Sequence, residues 1–131
     1  MSHHDLRTFY RHYLDTLNNR RFDELSELFH DQLSLNGQPI TRDEVMAAMR
    51  HTATEAVPDL VWTVQDVVVN DDRLTARLVD TGTPEKEWLG IKPTGGTFKV
   101  DEAAFYRIRD GRIDDMWFIV DTGAAQRQLD F

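Results

Sequence analysis

The chain has no cysteine in its 131 residues. Disulfides, thiolate nucleophiles and thiolate metal sites are therefore excluded outright, and the absence fits a cytoplasmic setting. No apolar run approaches the roughly 20 residues needed to cross a bilayer, and the first residues carry neither a basic region nor an apolar signal core, so no membrane partner is expected. Cations are in deficit, 15 Lys plus Arg against 23 Asp plus Glu for a net charge of −8. The arginines are scattered and form no basic stripe, so nucleic acid is not an expected partner. Histidine is sparse. His3 and His4 are adjacent, and His12, His30 and His51 stand at no metal-ligand spacing from one another, so no metal is expected. There are no repeats, linkers or low-complexity stretches. The length suits one domain, 1–131, with one sizeable core.

What is present divides into a helical first half and a strand-rich second half. Leu6, Phe9, Tyr10, Tyr13, Leu14 and Leu17 recur at three- and four-residue steps and predict an amphipathic helix from about His3 to Asn18. Asn18-Asn19 suits its end. Phe22, Leu25, Leu28 and Phe29 form the stripe of a second helix. Leu33–Asn36 alternates like a short strand, and Gly37-Gln38-Pro39 turns the chain. Thr41 with Glu44 three residues later is a capping box, so a third helix runs from about Arg42 to Ala53. Leu60–Val69, Arg73–Thr81 and Thr97–Arg109 read as strands, with a longer loop over 82–96. Asp110-Gly111 is a strong hairpin signal. The tail Thr122–Phe131 is short and mixed. Helices first and long antiparallel strands later predict an α+β fold with helices on one face of a curved sheet.

The run Arg112–Asp121 is the most apolar near the C-terminus and predicts a central strand that ends on a carboxylate. On a period of two, Asp121 shares a face with Ile119, Trp117, Asp115 and Ile113. Two readings follow. Beside Trp117 the carboxyl would be desolvated and its pKa raised, as a general base near neutral pH requires. Alternatively it stands in water and starts the turn Asp121-Thr122-Gly123. Glu102 shares a parity with Val100 and Ala104. Facing in, it would be a second buried acid and a rival base; facing out, an ordinary surface residue, which is the assignment adopted. Asp115 is assigned to the solvated end of its strand. Trp62, Trp88 and Trp117 can either fill the core or line a pocket, as can Tyr10 and Tyr13. Phe118 and Val120 fall on the face opposite Asp121 and suit an interface.

Several local motifs carry a resemblance. Phe9-Tyr10 with Leu17-Asn18, then Phe22–Leu25 and Leu28-Phe29, Pro58-Asp59-Leu60, the run Trp88–Gly95, and Phe105–Ile108 with Asp110–Ile113, Trp117 and Asp121 are similar to the SnoaL-like polyketide (ester) cyclases of the nuclear transport factor 2-like superfamily. The resemblance implies a cone-shaped fold of three N-terminal helices on a curved, mostly antiparallel sheet. It also implies an intramolecular aldol-type ring closure on an apolar ketone or ester, without metal or cofactor. By resemblance Asp121 is the acid/base residue. Trp117, Trp88, Asn36 and Tyr13 are the expected substrate contacts, the ligand is a small apolar or aromatic molecule, and the protein is a homodimer. Many members carry His where this chain has Asn36 and Pro84. The alternatives are a non-catalytic binding domain, or isomerase or epoxide-hydrolase chemistry on the same cone, which needs a second acid or a tyrosine near the first.

Overall fold

The computed structural model describes residues 3–130, with side chains from Asp5 onward, so the His3-His4 side chains lie outside the described residues. Helix α1 (His3–Asn18) leads to a short α2 (Phe22–Ser26), then strands β1 (Phe29–Leu35) and β2 (Gln38–Thr41). Helix α3 (Arg42–His51) continues into one wider turn over 52–56. Strands β3 (Val61–Asn70), β4 (Arg73–Gly82), β5 (Phe98–Arg109) and β6 (Arg112–Val120) follow, and α4 (Thr122–Leu129) closes the chain. The sheet runs β2-β1-β6-β5-β4-β3, with β1 parallel to β6 and every other pairing antiparallel. It is curved and open. The helices cover its concave side, which is the nuclear transport factor 2-like arrangement.

The helical half follows its patterning. Leu6, Phe9, Tyr10, Tyr13, Leu14 and Leu17 are all buried against the sheet, each worth about 1.5–3 kcal/mol of transfer free energy. The capping box forms as expected: Glu44 N donates to Thr41 Oγ1 at 3.2 Å, and Thr41 N donates to Glu44 Oε1 at 3.1 Å. Several boundaries differ from the sequence reading, and Gln38-Pro39, read as part of a turn, begins β2. The second helix stops at Ser26 because Phe29 is taken into β1, where it is fully buried against the start of β6. The mixed tail is a helix, α4, whose Ala125 and Leu129 are buried. After α1 the left-handed residue is Arg20, at φ 57°, and not an asparagine. The Asn18 side chain instead pairs with Trp62, donating to its carbonyl at 2.9 Å and accepting from its N–H at 3.0 Å.

The β4–β5 pairing sets the faces of the sheet. Leu74, Ala76, Leu78, Asp80 and Gly82 point in from β4, and Phe98, Val100, Glu102, Ala104, Tyr106 and Ile108 point in from β5. Glu102 therefore faces the concave side, which corrects its surface assignment. In β6 the alternation breaks. Ile113 pairs with Ile108, but Asp115, not Asp114, pairs with Arg107, so one extra residue is inserted. A one-residue bulge exchanges every later side chain between faces. Met116, Phe118 and Val120 point in, while Trp117 is 44% and Ile119 63% exposed. The strict period of two therefore places Trp117, Ile119 and Asp121 on the wrong side, and Phe118 and Val120 as well. The Arg107 guanidinium donates to both Asp114 carboxylate oxygens, at 2.8 and 3.2 Å, and so pins the bulge.

Candidate active site

Between α1, α3 and the concave sheet lies a cavity of about 160 Å³. Its wall is apolar, with Val45, Met49, Leu60 and Leu78 among the residues that form it, and with Met116, Phe118 and Val120 supplied by β6. Trp88 lies at one side, buried and stacked on Phe98 with ring centroids 4.5 Å apart. Trp88 N and Ile91 N donate to each other's carbonyls at 2.9 and 2.8 Å, and Leu89 and Gly90 form the left-handed tip of this turn. Leu89 reaches the cavity from that tip and stays exposed.

Two carboxyls enter this apolar space. Asp80, from β4, is 1% exposed, and Glu102, from β5, is 9% exposed. They are diagonal neighbours across the strand pair, since Leu78 stands opposite Glu102 and Asp80 opposite Val100. Burial raises the pKa of both, because a charged carboxylate loses its hydration there. Glu102 is raised well above the carboxylate range, by burial first and by Asp80 second. Asp80 is raised by burial first, and a hydrogen bond with Glu102 offsets part of that rise. Glu102 therefore keeps its proton near neutral pH, and Asp80 is the acid of the pair whose ionised form its neighbour favours. One Asp80 oxygen, Oδ1, is buried without a hydrogen-bond partner among the described residues. No Lys, Arg or His is among the described lining residues.

Tyrosine hydroxyls complete the polar set. Tyr13 and Tyr106 line the cavity, and Tyr10 lies behind them with its hydroxyl 3.4 Å from that of Tyr106. The rings pack at centroid distances of 5.1–5.7 Å. Burial pushes all three phenols upward, and Glu102 adds to the effect. They remain protonated donors at any working pH. Tyr13 donates weakly, to the Met116 sulfur at 4.0 Å.

The expected site residues divide. Tyr13 and Trp88 line the cavity. Asp121 does not. It is exposed beyond the end of β6, and its Oδ1 accepts from Ala124 N at 3.0 Å as the N-cap of α4. Its neighbours on that side, Trp117 and Ile119, are on the convex face, so the desolvation argued for it from a period of two is absent. Asn36 is exposed in the β1–β2 turn, and its Oδ1 accepts from Phe118 N at 2.8 Å. Its side chain fastens β6 instead of facing the cavity. Trp117 lies over Gly37, where a Cβ would meet its ring at 3.1 Å. Asp80 was the residue missed. The alternation Leu74, Ala76, Leu78 reaches Asp80 at its next step, and that continuation was the available signal. Replacing Asp121 with Ala should cost about 1 kcal/mol through loss of the cap and leave turnover at the parental level; denaturant melts and a steady-state assay check both.

An α+β cone with an apolar cavity open at one side and a buried acid pair defines the class of fold to which the chain is compared. The family model for SnoaL-like polyketide cyclase matches residues 7–129, and the chain belongs to that family. It is similar to a SnoaL-like polyketide cyclase from Agrobacterium tumefaciens strain C58, with 30% identity over 95% of this chain and 97% of that one at a TM-score of 0.88. It is also similar to IdmH, a proposed polyketide cyclase from Streptomyces antibioticus, with 27% identity over 95% and 98% of the two chains at a TM-score of 0.82. TsrD from Streptomyces laurentii matches at 25% identity over 99% and 98% of the chains with a TM-score of 0.87. No curated protein matches the chain in sequence. No helix among the described residues is long and apolar enough to cross a membrane.

Proposed function

We propose that this protein is a cyclase-like enzyme of its family that works by carboxyl acid/base catalysis on an enolisable ketone or ester, with Asp80 and Glu102 in the catalytic roles. The observation that carries this is the acid pair buried in an apolar cavity whose described lining residues include no Lys, Arg or His. Ionised Asp80 takes a proton from the carbon next to a substrate carbonyl. The C–H electrons move into the new C=C bond, and the carbonyl oxygen accepts the Glu102 proton as its charge develops. In an aldol closure the enol carbon then attacks a second carbonyl carbon. The proton on Asp80 passes to that carbonyl's oxygen, and the enol proton returns to Glu102. No metal or cofactor enters these steps. Tyr106 and Tyr13 offer further donors. The same first step serves an isomerase, and the second acid beside tyrosines is what that reading requires; the two differ only in whether an acceptor carbonyl lies in reach.

The test is keto–enol interconversion of benzoylacetone, followed by its ultraviolet band. The parent protein should accelerate it, and Glu102→Gln should lose about 10²–10⁴ of the acceleration. A variant as fast as the parent would reject the assignment.

Pairing of two copies through the convex sheet face belongs to the same reading. The row Val68, Thr75, Phe105, Trp117, with Ile119 beside it, is exposed and apolar except at Thr75, and Arg77 and Asp101 flank it with opposite charge. Phe118 and Val120 face the cavity and take no part. Trp117→Lys should turn the dimer into a monomer in sedimentation at micromolar concentration, with the helical signal unchanged.

A further inference from the structure

The acid pair yields more than its catalytic role. A carboxylate and a neutral carboxyl side by side present one acceptor and one donor. The acceptor is specified further, because Asp80 Oδ1 is buried with no partner of its own among the described residues. A buried acceptor left unmade is costly, so a ligand that supplies a donor there gains strongly.

We infer that the cavity is a receptor for a single-ring compound bearing a hydroxyl or enol, which donates to Asp80 and accepts from Glu102. This rests on the acid pair proposed above as the reaction centre, and it narrows the ligand. A hydroxyl has the matching complement of one donor and one acceptor. An ammonium has three donors and no acceptor, so it can meet the Asp80 acceptor but not the Glu102 donor. A carboxylate meets the negative pair with no Lys, Arg or His among the described lining residues to offset it. Size sets the other limit. The cavity volume of about 160 Å³ is comparable to an engineered cavity of about 150 Å³ that takes up benzene. One ring fills it, held by Met116, Phe118 and Trp88, and a larger body has to extend past Leu89 toward the mouth.

Equilibrium binding of four one-ring probes tests this by calorimetry on the intact protein: phenol, toluene, benzylamine and benzoate. Phenol is expected to bind at least tenfold more tightly than toluene, and both benzylamine and benzoate more weakly than phenol. Asp80→Asn should bring phenol down to the toluene level and leave toluene unchanged. Asp80→Asn removes an unsatisfied charge, so it is expected to fold; retained toluene binding verifies the cavity in the same experiment. Phenol binding no tighter than toluene, benzylamine or benzoate binding as tightly as phenol, or undiminished phenol binding to Asp80→Asn would each overturn the inference. The measurement involves no turnover. Loss of enolisation in Glu102→Gln alongside undiscriminating phenol binding would sink the ligand class alone. Discriminating phenol binding without any enolisation would sink the reaction alone.

Discussion

Asp80→Asn should make this protein more stable and inactive. The side chain is 1% exposed, one of its oxygens has no partner among the described residues, and its neighbour across the strands is another acid. An amide of the same shape carries no charge to desolvate, and it can exchange hydrogen bonds with protonated Glu102. A buried polar group left unsatisfied costs about 1–3 kcal/mol, and the amide relieves part of that. The melting temperature should rise by several degrees while turnover falls by about 10²–10⁴ with the base removed. The sign with pH can be worked out. Both acids have folded-state pKa values above their unfolded values, so the native state binds more protons than the unfolded chain in the interval between. The stability they contribute is fully present below the ordinary carboxylate range and is lost as pH rises through the raised values. The variant's advantage should therefore widen from acid toward neutral pH. Thermal melts between pH 4 and 8 check this, and a constant difference across that interval would contradict the burial argument.

Arg20→Leu should destabilise the fold more than any other exposed-to-half-buried substitution in the helical half. The guanidinium donates to four backbone carbonyls: Asn18 at 2.9 Å, Ala53 at 3.1 Å, Pro58 at 2.9 Å and Leu60 at 2.8 Å. It also stands 5.8 Å from the Trp62 ring centroid. These carbonyls come from the end of α1, the wide turn after α3 and the lead into β3, three segments with no regular hydrogen-bond ladder between them. Leucine leaves the acceptors without their donor. Partial exposure discounts each bond, so the loss is about 2–4 kcal/mol in sum, or a melting temperature lower by about 10 °C. Leu60 and Trp62 line the cavity, so ligand affinity should fall with it. Arg20→Lys should recover only part of the stability, since a point charge cannot serve four divergent carbonyls.

Much of this architecture is legible in the sequence. The α1 stripe, the Thr41–Glu44 box and the Asp110-Gly111 turn, whose residues are both left-handed at φ 51° and 75°, are local signals and fold locally. The family motifs extend them to the whole cone. The site was less legible, because its residues are selected by strand parity, a long-range property. Nothing local announces the extra residue at Asp114, whose partner Arg107 lies across the hairpin. Residues 117–120 are apolar on both faces, so hydrophobicity could not reveal the exchange either. Asp121 looked desolvated only through that miscount. Glu102 and Asp80 lie on long unbroken strands, where alternation holds from end to end, and there the pattern Val100, Glu102, Ala104 was sufficient once its face was known. Arg20 gave no signal, since its role depends on three segments meeting.

The bulge also makes the β5–β6 hairpin unequal in its tolerance of length. A chain lacking residue 114 would still set Ile113 opposite Ile108 and Met116 opposite Tyr106, because the remaining residues already alternate about those pairs. A residue lost or gained between Met116 and Val120 would turn Phe118 and Val120 toward solvent and bring Ile119 into the cavity. Length variation in this hairpin therefore has one permissive address, at the far end from the acid pair, and drift there can reshape the outer sheet without rewriting the wall that meets the ligand.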